Sequence, residues 1–455
     1  MLSPLAAAPK QAAPVRRLSE WHAVSVCVGM VIGAGIFITT PLAAANLPSG
    51  GWVLAAWIFG GAMSLAGALC FAEMATAFPD PGGDYNFLRR AYGDGAGFLF
   101  AGSRFAVIHT GSMALLAFTF GDYVATLVPL GDYGTAVFAA ATILVLAAVN
   151  VAGLKFGIGT PVWLLWLVIA GMVAVVTAGA WLAATGAPFA ARSVAAAGEA
   201  AATLFPFAPG AALVYVFLAY GGWSDTATLS AEMRDADRGM KRALIFGMAL
   251  VTVLYVLANW AYLRGLSHEG LARSRAPAAD LMLHGFGAPG QALMVAIVAL
   301  TSITSMNAIM IAGSRTTYAA ARDTAGLTGL GRWQTARGTP RAAIVAITCV
   351  ALVLVAFGAY TRGGFSTMVD YLSPVYWSFL TLSGIALFVL RRRYPDAPRP
   401  FRVPGYPWVP LVFIASSAYV LYSSLAYVRV GAVAGVAVLA GGAVLLLALR
   451  LGAKR

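Results

Sequence analysis

Charged residues are scarce in this sequence. They make up 10% of its 455 residues, whereas soluble globular domains average about 25%. Between the apolar runs there is no polar stretch long enough for a separate soluble domain. Apolar stretches of about 20 residues, the length that crosses the hydrocarbon core of a bilayer as a helix, recur from end to end instead. The composition therefore excludes an ordinary soluble protein and indicates an integral membrane protein.

Cysteine is also scarce, and Cys27, Cys70 and Cys349 lie far apart in apolar runs, without the spacing of a disulfide framework or a metal site. The chain has no paired His/Glu metal motif and no nucleophile motif, so we expect it not to be an enzyme. It also lacks the charged ring or repeated filter sequence of a channel. We expect neither a metal nor a cofactor.

Acidic residues are fewer than basic ones: the sequence has 17 Asp and Glu but 30 Lys and Arg, which gives a net charge of +13. Such a balance can indicate nucleic-acid binding, but these bases lie in short loops between apolar runs, where they orient the spans in the membrane. If twelve spans are counted from a cytoplasmic N-terminus, the loops on the opposite side hold only Arg192, Arg264, Arg273, Arg275, Arg362 and Arg429. We therefore expect both termini to be cytoplasmic and no nucleic acid to bind.

The apolar runs predict about twelve membrane-spanning helices. Residues 1–20 form a polar, Ala/Pro-rich tail, and the run that follows is too long for the core of a signal peptide, so we expect a retained first span. The predicted spans 1 to 12 are 21–47, 51–78, 95–129, 133–153, 159–184, 206–233, 240–264, 288–321, 340–359, 364–390, 408–427 and 430–450.

Glycines interrupt two of these spans, at the same place in two consecutive sets of five. Span 1 contains Gly33-Ala34-Gly35, and span 6 contains Gly221-Gly222. Matching Gly-interrupted spans point to a transporter binding site at the interface of inverted repeats. Close helix packing is the alternative explanation for a single motif of this kind.

An amino acid would satisfy such unwound backbone, which persists at membrane depth only where protein or a cavity meets its polar groups. Its carboxylate can accept from free N–H groups at the positive start of the resumed half-helix. Its ammonium can donate to free carbonyls at the end of the preceding half-helix. The two interruptions therefore predict an amino-acid site between spans 1 and 6.

Further motifs occur in a fixed order along the chain. They are Gly29 to Phe37, Phe71-Ala72-Glu73-Met74, Pro81-Gly82-Gly83-Asp84-Tyr85, Asn150 to Gly157, Ala219 to Asp225 with Ala231-Glu232, Gly313-Ser314-Arg315, and Arg391 to Pro407. Through these motifs the chain, from about Leu18 to about Val428, resembles the amino acid–polyamine–organocation superfamily. Within it, the chain resembles bacterial relatives of the L-type amino acid transporters.

The resemblance implies an all-α fold with a five-plus-five inverted repeat, the LeuT-like arrangement, and two extra C-terminal helices. It divides the chain into a cytoplasmic tail, a first repeat, a second inverted repeat, helices 11 and 12, and a cytoplasmic C-terminus. These parts are residues 1–20, 21–184, 206–390, 408–450 and 451–455.

Carried over residue by residue, the resemblance places the substrate carboxylate at the N–H groups of Ala34 and Gly35. The ammonium would meet the carbonyls of Val31, Leu218 and Gly221. The full set of implied substrate-binding residues is Val31, Gly33, Ala34, Gly35, Leu218, Tyr220, Gly221, Gly222 and Ser224, with Thr110, Ser112, Asn307 and Tyr376 as further candidates for sensing the side chain. The family's lysine in helix 5 is absent, because residues 163–168 hold no cation, which leaves the coupling mechanism open.

Ionisable residues inside spans are functional candidates by default. His109 either relays a proton or acts as a neutral hydrogen-bonding group, and Asp225 either binds a cation or forms a structural hydrogen bond to helix 1. We expect Arg104 to snorkel to the cytoplasm. We expect Glu73 and Glu232 to pair with loop arginines as part of a cytoplasmic gate.

These observations predict a secondary active transporter of neutral L-amino acids in the inner membrane of a bacterium, working by alternating access. Exchange ranks above proton symport, and sodium symport ranks third. The alternatives are an amino-acid sensor or transceptor and a carrier of another amine, either a polyamine or a cationic amino acid. The expected partners are the substrate and the lipid bilayer, with no obligate partner subunit evident.

Overall fold

The computed structural model describes residues 20–80, 82–153, 160–185, 206–226, 236–322, 329, 339–426 and 430–452. Within these ranges the chain forms helices and no β-strand, as expected for backbone that must satisfy its own hydrogen bonds in lipid. The helices are α1 (Glu20–Val31), α2 (Ile36–Ala44), α3 (Gly50–Ala77), α4 (Asp84–Tyr92), α5 (Asp94–Ser103), a π-helical turn (Arg104–His109), α6 (Thr110–Ala125), α7 (Gly134–Val151), α8 (Thr160–Thr185), α9 (Pro209–Ala219), α10 (Ala236–Arg273), α11 (Pro277–Arg322), α12 (Arg341–Tyr360), α13 (Phe365–Arg393), α14 (Trp408–Ala426) and α15 (Val430–Gly452).

Nine helical stretches of the described chain are long and apolar enough to cross a membrane. They are Gly50–Ala77, Asp94–Ala125, Gly134–Val151, Leu165–Thr185, Gly239–Arg273, Pro277–Tyr318, Arg341–Tyr360, Phe365–Arg393 and Trp408–Ala426. Each corresponds to a predicted span. The all-α multi-pass class is therefore confirmed. The apolar helices α1, α2 and α9 are shorter than these stretches.

The stretch between predicted spans 7 and 8 is helical, not a loop. α10 runs on to Arg273 through one non-helical residue, Ser267, and α11 begins at Pro277 and bends at Gly287. The residues between these two bends carry charges and lie outside the apolar runs, which is why hydropathy alone did not assign them to helices.

Helices that stand five spans apart in the chain pack against one another. α2 contacts α9, α3 contacts α10, α6 contacts α11 and α7 contacts α12. α10 also contacts α1 and α2, so it lies beside both helices of the interrupted span 1. This packing brings residues 32–35, which we name the first break, next to residues 220–222, which we name the second break.

Candidate functional site

The first break separates α1 from α2, as the sequence predicted. The N–H of Gly33 donates to the Val31 carbonyl at 2.9 Å, and the Gly35 carbonyl accepts from Thr39. No described residue accepts a hydrogen bond from the N–H groups of Ala34 and Gly35. These free donors stand at the N-terminus of α2, where a half-helix presents positive charge. The arrangement suits a carboxylate.

The second break follows α9, which ends at Ala219. The Gly222 backbone has φ +101° and passes so close to the Met30 carbonyl that a Cβ at this position would collide with it. Only glycine accepts both the conformation and the contact. Gly222 thus allows the second break to pack directly against the end of α1.

The glycines of the first break have different surroundings. A Cβ on Gly35 would lie 3.5 Å from the Ala219 Cα, in ordinary packing contact with α9. A Cβ on Gly33 would meet no atom of the described residues within 4 Å. Gly35 therefore lies in the packing contact between α2 and α9, whereas Gly33 borders open space.

Tyr255 of α10 joins the ends of both broken helices, and sequence reasoning did not identify it. Its hydroxyl lies 3.0 Å from the Val31 carbonyl and 3.2 Å from the Ala219 carbonyl. Its ring is fully buried and packs against the rings of Trp57 and Tyr220. A tyrosine in an apolar run gives no sequence signal for this role, because its partners are distant in the chain.

An ion pair lies beside the second break. Arg104, in the π-helical turn of span 3, donates to Asp225 at 3.0 Å. Arg104 thus has a carboxylate partner within the fold, which the expectation that it can snorkel to the cytoplasm did not include. Asp225 has this helix 3 partner, which neither sequence-based alternative named. The Tyr376 hydroxyl lies next to the Ser224 side chain and within electrostatic reach of both charges.

Asp84, in the first turn of α4, belongs to the same charged cluster. Burial and the nearby Asp225 carboxylate raise the pKa of Asp84 to about 7, although Arg104 acts in the opposite direction. Asp84 therefore titrates near neutral pH, unlike an ordinary aspartate. The sequence motif marked this residue only as part of a loop signature.

The remaining side-chain candidates are dispersed. The Tyr220 hydroxyl donates to the Trp57 carbonyl at 2.9 Å, so its side chain joins α9 to α3 and does not line open space. The Thr110 hydroxyl donates to the Ala106 carbonyl at 2.8 Å. Asn307 accepts from Asn150 of α7 at 2.7 Å.

Two candidates show no such hydrogen bond to the backbone. Ser112 is partly buried on α6. His109 lies over Gly313 of α11, because a Cβ there would be 3.2 Å from the His109 Nδ1 atom. The structure thus brings His109 against α11, and its proton role stays a prediction.

Glu73 pairs with Arg391 in the last turn of α13 and lies near Arg399 of the loop that follows, and its role in a cytoplasmic gate stays a prediction. It is 1% exposed, and the Arg391 guanidinium donates two hydrogen bonds of 2.7 and 2.6 Å to its carboxylate. The backbone N–H of Val403 adds a third at 2.7 Å, and Arg399 lies 3.7 Å away. The desolvation cost of burying this carboxylate is offset by the two nearby guanidinium groups. Glu232 lies outside the described residues.

Comparison with known proteins agrees with this architecture. The family model of the amino acid permeases matches residues 18–446. The b(0,+)-type amino acid transporter 1 of Oryctolagus cuniculus is 28% identical over 402 residues, which are 87% of this chain and 80% of that protein. The large neutral amino acids transporter small subunit 2 of Mus musculus is 29% identical over 443 residues (93% and 79%). The cystine/glutamate transporter of Homo sapiens is 26% identical over 416 residues (90% and 80%).

One of these names corrects an expectation. The Mus musculus relative is, by its name, the small subunit of an assembly. The expectation of no evident obligate partner subunit is therefore wrong. Hydropathy could not reveal a partner, because helix surfaces that meet protein within a membrane are as apolar as those that meet lipid.

The match covers almost the whole chain and includes both breaks. The family and its relatives are transporters and not enzymes, in agreement with the sequence-based prediction. The chain belongs to the amino acid permease family, within the amino acid–polyamine–organocation superfamily that its motifs resemble.

Proposed function

We propose that this protein is a secondary carrier that moves amino acids by alternating access around the two breaks. The observation that carries the proposal is the pair of free N–H groups of Ala34 and Gly35 at the start of α2. They stand where family membership leads us to expect a substrate carboxylate. Helix N-termini bind anions in this way without a basic side chain.

The ammonium group of the substrate would sit between the ends of α1 and α9. The Val31 carbonyl already accepts from Gly33 and Tyr255, so an ammonium there must replace one of these donors. The Gly221 carbonyl accepts from none of the described residues, whereas the Leu218 carbonyl already accepts from the N–H groups of Tyr220 and Gly221. Gly221 is therefore the stronger acceptor for the ammonium.

The charge around the site favours a neutral substrate side chain. Arg104 and Asp225 face each other, so each largely cancels the other's charge. An acidic or cationic side chain would have to break this pair to find a counter-charge. Ser224 and Tyr376 remain as uncharged groups near the second break.

The twelve-span inverted repeat also belongs to this proposal. The packing of α2 on α9, α3 on α10, α6 on α11 and α7 on α12 is the pattern expected when two five-helix halves are related by a pseudo-two-fold axis. The halves would be 21–184 and 206–390, with 408–450 as helices 11 and 12. The tails 1–20 and 451–455 would be cytoplasmic, and the membrane would be the inner membrane of a bacterium.

The gates and the coupling mode follow from the charged groups. We assign the cytoplasmic closure to the Glu73–Arg391 pair and to the cluster of Asp84, Arg104 and Asp225, with Glu232 as a further candidate. His109 and Asp225 are the coupling candidates. Exchange ranks slightly above proton symport, and sodium symport ranks third. By analogy with relatives named as small subunits, we also infer that a second subunit accompanies this chain.

The test is uptake of a labelled amino-acid panel, including polyamines, into proteoliposomes that are empty or preloaded with unlabelled amino acids. Uptake that requires preloading would identify an exchanger and its substrate class. Uptake into empty vesicles that rises with an inward proton gradient would identify a symporter. Saturable binding without flux in either case would favour the sensor and contradict the carrier.

A further inference from the structure

A cavity lies away from the two breaks, where α4, α5 and the end of α13 meet. Its volume is about 310 Å³, and its lining includes Asn86, Arg89, Arg90, Asp94 and Arg393. Ligand cavities in proteins begin at about 300 Å³. The space therefore suits a small group or the polar end of a larger molecule.

The lining of this cavity carries excess positive charge. Arg89 pairs with Asp94 at 2.6 Å, and Asp94 is the single carboxylate of the lining. Arg90 donates to the Asn86 side-chain oxygen at 2.9 Å, and Arg393 donates to the Arg90 carbonyl at 3.0 Å. Two of the three guanidinium groups thus meet only neutral acceptors in these contacts. Their remaining N–H groups can serve an anion.

Asn86 fixes one of these guanidinium groups at the wall of the cavity. Asn86 is 8% exposed, and its side-chain oxygen accepts from Arg90. Its amide nitrogen is fully buried. The guanidinium groups are therefore the donors that an anion in the cavity can reach.

The position of the cavity along the membrane normal narrows the choice of anion. Asp94 begins one apolar stretch, and Arg393 ends another. The cavity therefore lies where two spans leave the hydrocarbon, at the depth of lipid headgroups. On the proposed topology this is the cytoplasmic face, where anionic lipids meet basic pockets between helices.

We propose that this cavity binds a phosphate group, presented by the headgroup of an anionic phospholipid. Guanidinium groups bind phosphate oxygens through two parallel N–H bonds each, which gives geometry as well as charge. Arg90 and Arg393 supply the charge, and Asn86 holds Arg90 in position. Nothing in this site touches the two breaks, so the lipid acts apart from the substrate.

The test measures the melting temperature of the full-length protein in a neutral detergent with added phosphatidylglycerol, phosphatidylcholine or inorganic phosphate. We expect phosphatidylglycerol to raise the melting temperature with saturation, since a ligand of the folded state stabilises it. Arg393→Gln should weaken the apparent affinity by about tenfold, the usual loss with one charge-assisted hydrogen bond. Arg392→Gln is the matched control, because it removes the same charge from the exposed neighbouring residue that does not line the cavity.

The outcomes separate the sources of phosphate. A rise with phosphatidylglycerol that is lost in Arg393→Gln and kept in Arg392→Gln supports the lipid site. An equal rise with inorganic phosphate keeps the phosphate site and overturns the lipid as its source. No rise with either, or equal weakening in both variants, overturns the proposal. If Arg393→Gln does not fold, Arg90→Gln replaces it in the same comparison, and neither measurement depends on transport.

Discussion

Arg104 and Asp225 form an ion pair of 3.0 Å between the π-helical turn of span 3 and the segment just after the second break. The two residues are 121 positions apart in the chain. A π-helical turn often marks a functional site because it releases a carbonyl from the regular helix pattern. Here the Ala106 carbonyl accepts from Thr110 and from Tyr371 of α13. The turn therefore joins span 3 to the segment after the second break and to span 10.

The first prediction concerns the energetic coupling of this pair. Arg104→Gln and Asp225→Asn should each lower the melting temperature, and the double variant should lower it by less than the sum. Because the side chains of the pair are 25% and 46% exposed, solvent screens the pair and we expect a coupling of about 1 kcal/mol. A double-mutant cycle on thermal unfolding measures it, with Arg315→Gln as an exposed arginine control. Additive effects would show that the two side chains are not coupled and would contradict a stabilising role for the pair in the proposed cytoplasmic closure.

The second prediction separates the two glycines of the first break. Gly33→Val should fold normally but lose amino-acid binding, because its side chain would fill the open space that Gly33 borders. Gly35→Val should lose binding and also stability, because the added methyl groups would press on Ala219. Binding of the labelled panel and the melting temperature are measured for both.

Gly102→Val is the control for this comparison, because a Cβ on Gly102 also meets no atom within 4 Å and the residue lies outside both breaks. It should retain binding. Wild-type affinity in Gly33→Val would mean that the substrate binds elsewhere and would contradict the proposed site.

The positions of the spans and of both breaks could be predicted from the sequence because they are local properties. Hydropathy predicted span 2 as 51–78, and the helix is Gly50–Ala77. The glycines of the first break predicted the gap between α1 and α2. Such features depend only on neighbouring residues and on the thickness of the bilayer.

Contacts between distant spans could not be predicted in the same way. Tyr255 and Val31 are 224 positions apart, and only the packed bundle brings them together. The direction of Tyr220 towards α3 and of Asn307 towards Asn150 depends on how each helix is rotated about its axis. Span periodicity leaves that rotation open, because helices in lipid are apolar on all sides.

The third prediction tests the Tyr255 hydroxyl. Tyr255→Phe should keep the ring packing on Trp57 and Tyr220 but lose the link to the Val31 and Ala219 carbonyls. We expect a loss of about 1 kcal/mol in unfolding free energy and slower transport, because one link between the two broken helices is lost.

Tyr262→Phe is the matched control on the same helix. The Tyr262 hydroxyl is buried without a hydrogen-bond partner in the described parts of the chain, so its removal should be neutral or stabilising. If both variants lose equal stability and activity, the Tyr255 hydroxyl has no special role.

The fourth prediction concerns the pH dependence of stability. The pKa of Asp84 is about 7 in the folded protein and 3.8 for an ordinary aspartate. Below about pH 4 both the folded and the unfolded states hold the proton. Between the two values the unfolded state releases the proton and the folded state keeps it, so this carboxyl makes folding less favourable as pH rises. Above about pH 7 its contribution no longer changes.

The melting temperature of the wild type should therefore fall, relative to that of Asp84→Asn, as pH rises from about 4 to about 7. The charged and titratable groups that face Asp84 are Arg104, Asp225 and Tyr376, and all are retained in the variant. Their own pH effects thus largely cancel in the difference. Asp396→Asn, at an exposed loop carboxyl, is the control and should show no such trend. A constant difference between wild type and Asp84→Asn across this window would show that Asp84 titrates as an ordinary aspartate, and would remove it from any response of the cytoplasmic closure to pH.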